Sequence, residues 1–109
     1  MQISFYYKSN CSEQMINEVM NEIREHSSYE PSVTNYSCGK AMYMSLKDIS
    51  IKEFLIYLVK KYPEMSFSAS DSFSCDDRDS SWWTTVSYEP IIDENGEVTI
   101  KEDESTGWH

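Results

Sequence analysis

Along Met1 to Lys8, MQISFYYK, apolar and polar side chains alternate, with Ile3, Phe5 and Tyr7 on one parity and Gln2, Ser4 and Tyr6 on the other. This period of two predicts a strand with one buried face. The period then lengthens. Met15, Ile16, Val19, Met20 and Ile23 form one stripe at helical spacing, with Glu18, Glu22 and Glu25 outside it, which predicts an amphipathic helix. Asn10, three residues before Glu13, offers a capping box for its start. His26-Ser27-Ser28, ahead of Pro31, marks its end.

SVTNYSC (32–38) and AMYMSL (41–46) read as short strands, and Gly39 between them supplies the turn of a hairpin. A second capping box, Ser50-x-x-Glu53, opens the strongest helical pattern. Ile51, Phe54, Leu55, Leu58, Val59 and Tyr62 make a continuous stripe, Lys60 and Lys61 suit the C-terminal dipole, and Pro63 stops the run. In MSFSASDSFSC (65–75) serines hold the even positions while Met65, Phe67, Ala69, Phe73 and Cys75 hold the odd ones. That predicts a strand with a hydroxyl face, broken on its apolar side only by Asp71. WWTTVSYE (82–89) is rich in strand formers and should be interrupted by Pro90. Ile91-Ile92 and Val98-Thr99-Ile100 flank Asn95-Gly96, a second hairpin signal. KEDESTGWH reads as a polar acidic tail over about 101–109.

The element order β-α-β-β-α-β, with one or two further strands, resembles the ferredoxin-like split βαβ arrangement. The expected fold is therefore α+β: an antiparallel sheet with both helices on one face and a C-terminal β-hairpin extension. Tyr6, the serines and one side of WWTTVSY would lie on the opposite, watered face. At 109 residues the chain suffices for one core, a single domain over 1–109. No run is long enough to span a bilayer, and MQISFYYKSN lacks the basic region and apolar block of a signal peptide, so a cytoplasmic location is expected. Cys11, Cys38 and Cys75 are too far apart for a zinc knuckle and suit buried thiols.

Charge changes the picture most. The net charge is −10. Residues 1–70 carry 8 acids against 7 bases, whereas residues 71–109 carry 11 acids against 2. A strongly anionic final third repels nucleic acid and attracts a basic protein surface.

The candidate chemistry is weak by comparison. Asp76, Asp77 and Asp79 lack the glycine and closing glutamate of a calcium loop. Asp93, Glu97 and Lys101 have the spacing of an ordinary acidic hairpin rather than a two-metal nuclease. Cys11 or Cys75 would need His26 or His109 as base, and His26 falls at a helix end while His109 is terminal. Three glycines build no phosphate loop. The sequence thus calls for no catalytic residue, no metal and no cofactor. Adjacent strand residues face opposite ways, so only one of Trp82 and Trp83 is expected in the core. The other is an interface anchor ringed by Asp76, Asp77, Asp79 and Glu89. Asp93, Glu94 and Glu97 complete the expected partner-binding set.

In size, acidity, cytosolic character and lack of a catalytic motif, the chain resembles bacterial immunity proteins that neutralise polymorphic toxins, including those of contact-dependent growth inhibition. The likeness is one of class and transfers no family residue to a position here. It implies a non-enzymatic protein, monomeric or weakly dimeric, that inhibits a cognate toxin, commonly a nuclease, by covering its basic surface. A phage-type inhibitor, such as an anti-CRISPR protein or DNA mimic, would use the same acidic surface. A small enzyme of ferredoxin-like fold and an acidic housekeeping subunit are the remaining readings.

Overall fold

In a computed structural model, residues 1–76 and 81–108 are described, with side chains described outside 73–76, 81–82 and 107–108. The elements are β1 (Gln2–Tyr6), α1 (Glu13–Glu25), β2 (Ser32–Tyr36), β3 (Gly39–Tyr43), α2 (Ile51–Lys61), β4 (Ser66–Asp76), β5 (Ser81–Ile92) and β6 (Val98–Trp108). The six strands form one antiparallel sheet in the order β2-β3-β1-β4-β5-β6. The fold is α+β, with two helices and one six-stranded antiparallel sheet that takes in the C-terminal hairpin strands.

Both helices start where a serine hydroxyl can satisfy an amide that has no partner within the helix. For α2 this is Ser50, which accepts from the Glu53 N–H at 3.2 Å as the sequence implied. For α1 the cap is Ser12, not Asn10. Ser12 adopts the extended backbone a cap needs (φ −72°, ψ 146°) and accepts from the Met15 N–H at 3.2 Å. The chain before it is still turning, with the Cys11 N–H bonded to the Lys8 carbonyl at 3.0 Å.

The apolar stripes fold onto one face of the sheet. Val19 and Ile23 of α1 and Phe54, Leu55, Leu58 and Val59 of α2 are buried with Ile3, Phe5, Met42, Phe67 and Ala69. The register lines up these strand residues: Ile3 lies opposite Met42 on one side and Ala69 on the other, and Phe5 lies opposite Phe67. The two helices are also joined at their surface. Glu22 pairs with the Lys61 ammonium and accepts from the Tyr57 hydroxyl at 3.2 Å, and the His26 ring packs 4.7 Å from that of Phe54.

Tyr6, Tyr36 and Tyr43 are about half exposed on the other face. Gly39 lies between Tyr6 and Tyr36 in register. A Cβ there would come within 2.5 Å of both the Phe5 carbonyl oxygen and Cδ1 of Tyr6, so the tyrosine ring occupies the space a side chain would need.

Two expectations fail at the C-terminal end. Pro90 does not interrupt its strand; β5 runs through it to Ile92. The Asp93 N–H bonds to the Glu97 carbonyl at 2.9 Å, which by antiparallel alternation makes Ile91–Thr99 the next hydrogen-bonded pair and leaves Pro90 at a non-bonded position toward β6. On its other side β5 pairs with β4 only as far as Tyr88. Pro90 therefore removes no ladder bond. The expected polar tail is also strand, since residues 101–108 continue β6, paired with β5 from Val98 to Trp108; His109 lies outside the described residues.

β4, β5 and β6 outrun the rest of the sheet. β1 pairs with β4 only over Ser66–Ser70, so the far half of β4 has β5 alone beside it. The molecule is correspondingly long, 51 × 33 × 29 Å with a radius of gyration of 15.3 Å, against about 13 Å for a compact chain of this size. In this arm, hydroxyl pairs join the strands: Ser72–Thr85 and Thr84–Thr106, each at 3.2 Å.

Phe54→Ala is expected to lower unfolding free energy by about 3–5 kcal/mol in urea titration, because the site is fully buried. Gly39→Ala should cost about 1–3 kcal/mol through the clash with Phe5 and Tyr6.

Candidate protein interface

The acidic residues of the final third do not gather in one place. Trp83 and Asp93 lie on the same strand or its end, ten positions apart, or about 33 Å. Asp76, opposite Ser81 in register, therefore belongs to one end of the arm and the Asp93–Glu97 turn to the other. Asp77 and Asp79 lie outside the described residues, and Asp76 and Trp82 are placed by backbone register alone: Asp76 opposite Ser81, and Trp82 between Cys75 and Trp108. Trp83, between Ser74 and Gly107 in register, is 40% exposed. Glu89 does not ring it. Six residues along a strand separate them by about 20 Å.

The end of the arm nearest the helices carries the better-defined surface. Seven acids and one base occur between Glu89 and Glu104, and all seven carboxylates are exposed. The turn that joins β5 to β6 is set by its own sequence. The Gly96 N–H closes onto the Asp93 carbonyl at 3.1 Å, and Gly96 takes φ +82°, the left-handed conformation that glycine adopts without strain. The Asp93 carboxylate accepts from the Asn95 and Glu97 amides at 2.8 and 2.9 Å. Asp93 is thus tied to the turn through one carboxylate oxygen, Oδ1.

Two further carboxylates are paired within the chain. Glu102 meets Lys52 of α2 at 2.8 Å, and Asp103 lies 3.7 Å from Lys101. The hydrogen bond that the Lys52 ammonium donates to the Glu102 carboxylate raises the Lys52 pKa above its ordinary value. Burial, helped by Glu102 and Asp71, raises that of the nearby Tyr88 hydroxyl. Among the described residues, Glu89, Glu94, Glu97 and Glu104 make no ion pair or side-chain hydrogen bond. These four, three of them in the expected set, are the carboxylates available to a partner.

Beside them lie Ile91 and Ile92, 46% and 58% exposed. Ile92 borders a shallow recess with Glu89, Pro90, Phe67 and Val59. Sequence pattern placed the isoleucines in the strand before the Asn95-Gly96 turn and did not settle their exposure. They are exposed because β5 here extends past its pairing with β4. Their position directly before Asp-Glu-Asn-Gly was the available signal, since the last residues of a hairpin reach beyond the layer that covers its base. Glu104 was missed for a different reason: it was counted as tail.

Among the described residues no helix is long and apolar enough to cross a membrane, and no group of three His, Cys, Asp or Glu side chains converges as metal ligands would. Compared with known proteins, the chain matches no family model, no curated protein and no solved structure.

Asp93→Ala should destabilise the fold by about 1–2 kcal/mol, because two turn amides lose their acceptor, while Glu94→Gln should change the melting temperature little; thermal unfolding of the two variants checks this. Tyr62 and Tyr88, both held neutral by burial, and the paired Lys52 and Lys61 have pKa values raised on folding. Their stabilisation is complete below the ordinary values, near 10, and is lost as pH climbs through the raised folded values. The melting temperature should accordingly fall above about pH 10, and Tyr88→Phe should flatten part of that fall.

Proposed function

We propose that this chain is a non-catalytic acidic binding protein of the immunity class, which neutralises a nuclease toxin by covering its basic surface. In this reading residues 1–76 form a ferredoxin-like split βαβ unit, and the β5–β6 hairpin is the extension that meets the partner. The protein works in the cytoplasm, as a monomer bound one-to-one. The observation that carries the reading is the exposed acidic hairpin end. Ile91 and Ile92 expose apolar side chains on the two faces of this end, beside Glu89, Glu94 and Glu97, with Glu104 about 17 Å further along β6, giving apolar contacts and a charged rim for a protein interface. The rim charges would steer a basic toxin into contact, so association should be fast and fall steeply with salt.

The test is co-expression with a nuclease toxin whose gene is found beside that of this chain. The chain should restore growth, and the purified pair should form a complex whose on-rate drops as ionic strength rises. Replacing Glu94, Glu97 and Glu104 together with Gln should slow association about tenfold at low salt, whereas replacing Asp76, Asp77 and Asp79 with Asn should have a smaller effect. Absence of both rescue and complex would overturn the reading.

A further inference from the structure

The outer edge of β6 is the feature the proposed function leaves unused. β6 is the last strand of the sheet, and among the described residues no other strand pairs with its outer side. The bond from the Asp93 N–H to the Glu97 carbonyl fixes the phase of the β5–β6 ladder. Thr99, Lys101, Asp103 and Ser105 then direct their backbone groups toward β5, while Ile100, Glu102, Glu104 and Thr106 direct theirs outward. This is a row of donors and acceptors at strand spacing.

Long open edges invite pairing, and proteins blunt them with short strands, proline, bulges or inward-pointing charge. β6 is 11 residues long and contains no proline. What protects it is charge. Antiparallel pairing with a second copy over the full strand would set Asp103 against itself and Glu102 against Glu104, and like charges directly opposite are destabilising. The same carboxylates favour a strand with Lys or Arg at alternate positions, which would lie opposite Glu102 and Glu104.

We infer that β6 is a template for β-strand addition and that its occupant is a basic edge strand of the partner protein. The inference rests on the proposed function for the partner's identity and adds the mode of capture. Main-chain bonds to Ile100, Glu102, Glu104 and Thr106 supply affinity, and pairs of the Glu102 and Glu104 carboxylates with bases on one face of the added strand set its register. Lys52, already paired with Glu102, then shares that carboxylate with the incoming base.

The probe is a short peptide alternating lysine with threonine and valine, compared with a twin of the same sequence N-methylated at alternate residues so that one edge cannot pair. Amide hydrogen exchange on the intact chain should show new protection at Ile100, Glu102, Glu104 and Thr106 with the first peptide and none with the twin. Equal binding of both peptides, binding without protection of those amides, or no binding would each overturn the inference. The same exchange measurement applies to the toxin complex. Inhibition of the toxin with those amides still exchanging freely would leave the proposed function standing and remove this mode.

A variant pair gives an independent check. Glu104→Gln removes one charge, while Glu104→Pro removes the same charge and the outward N–H without touching a β5–β6 bond. The proline variant should bind the peptide at least tenfold more weakly than the glutamine variant, with a closely similar melting temperature. Equal binding by the two folded variants would overturn the inference, and should the proline variant not fold, the exchange pattern of the unmodified chain decides.

Discussion

The packing of the α2 stripe onto the centre of the sheet is the contact on which the rest of the molecule depends. Phe54, Leu55, Leu58 and Val59 bury themselves against the same face as Ile3, Phe5, Phe67 and Ala69, and burial of side chains this large is the main favourable contribution to so small a fold. The placement of α2 fixes more than stability. Lys52 on its first turn reaches Glu102 of β6, and Val98 and Ile100 of β6 pack at the margin of the core. The helix thereby holds the base of the acidic hairpin, and the orientation of the β6 edge follows from it.

Beyond that base the balance of forces changes. Over its far half the arm is joined by paired hydroxyls, with Ser72–Thr85 and Thr84–Thr106 on alternate rows. Hydrogen bonds between exposed hydroxyls contribute little net stability, because water competes for both groups. Regular backbone pairing over eleven positions of β6 is what gives this part its shape. A long strand held by its ladder and uncovered on its outer side is well suited to accept another strand, at the cost of needing charge to keep copies of itself apart.

The distribution of carboxylates follows the same division. Those that serve the fold are satisfied locally: Asp93 caps its turn, Glu22 joins the two helices, and Glu102 ties β6 to α2. Of those left facing water, Glu89, Glu94 and Glu97 lie at the hairpin end, while Glu104 sits further along β6 opposite Val86. In the proposed interface the field would govern encounter, while an exposed isoleucine, Ile91 or Ile92, and the backbone edge would govern retention.

The elements themselves were legible in the sequence because each depends on local pattern. The stripe of α2, its Ser50 cap, the alternation of β1 and β4 and the Asn95-Gly96 turn all follow from side-chain spacing and backbone preference over a few residues. What tertiary structure decided was everything that depends on where a strand's neighbours end. Pro90 was read as a break because a central strand cannot spare an amide, but the pairing of β5 with β4 ends at Tyr88, before it reaches the proline, and β5 continues on its β6 side. Residues 101–108 were read as tail because they alternate no apolar side chains, yet a strand paired along its whole length to β5 needs no apolar face of its own. Asp76 and the acidic segment 93–97 looked like parts of one surface because they are near in sequence. An extended strand holds them far apart, since each residue of β5 adds about 3.3 Å.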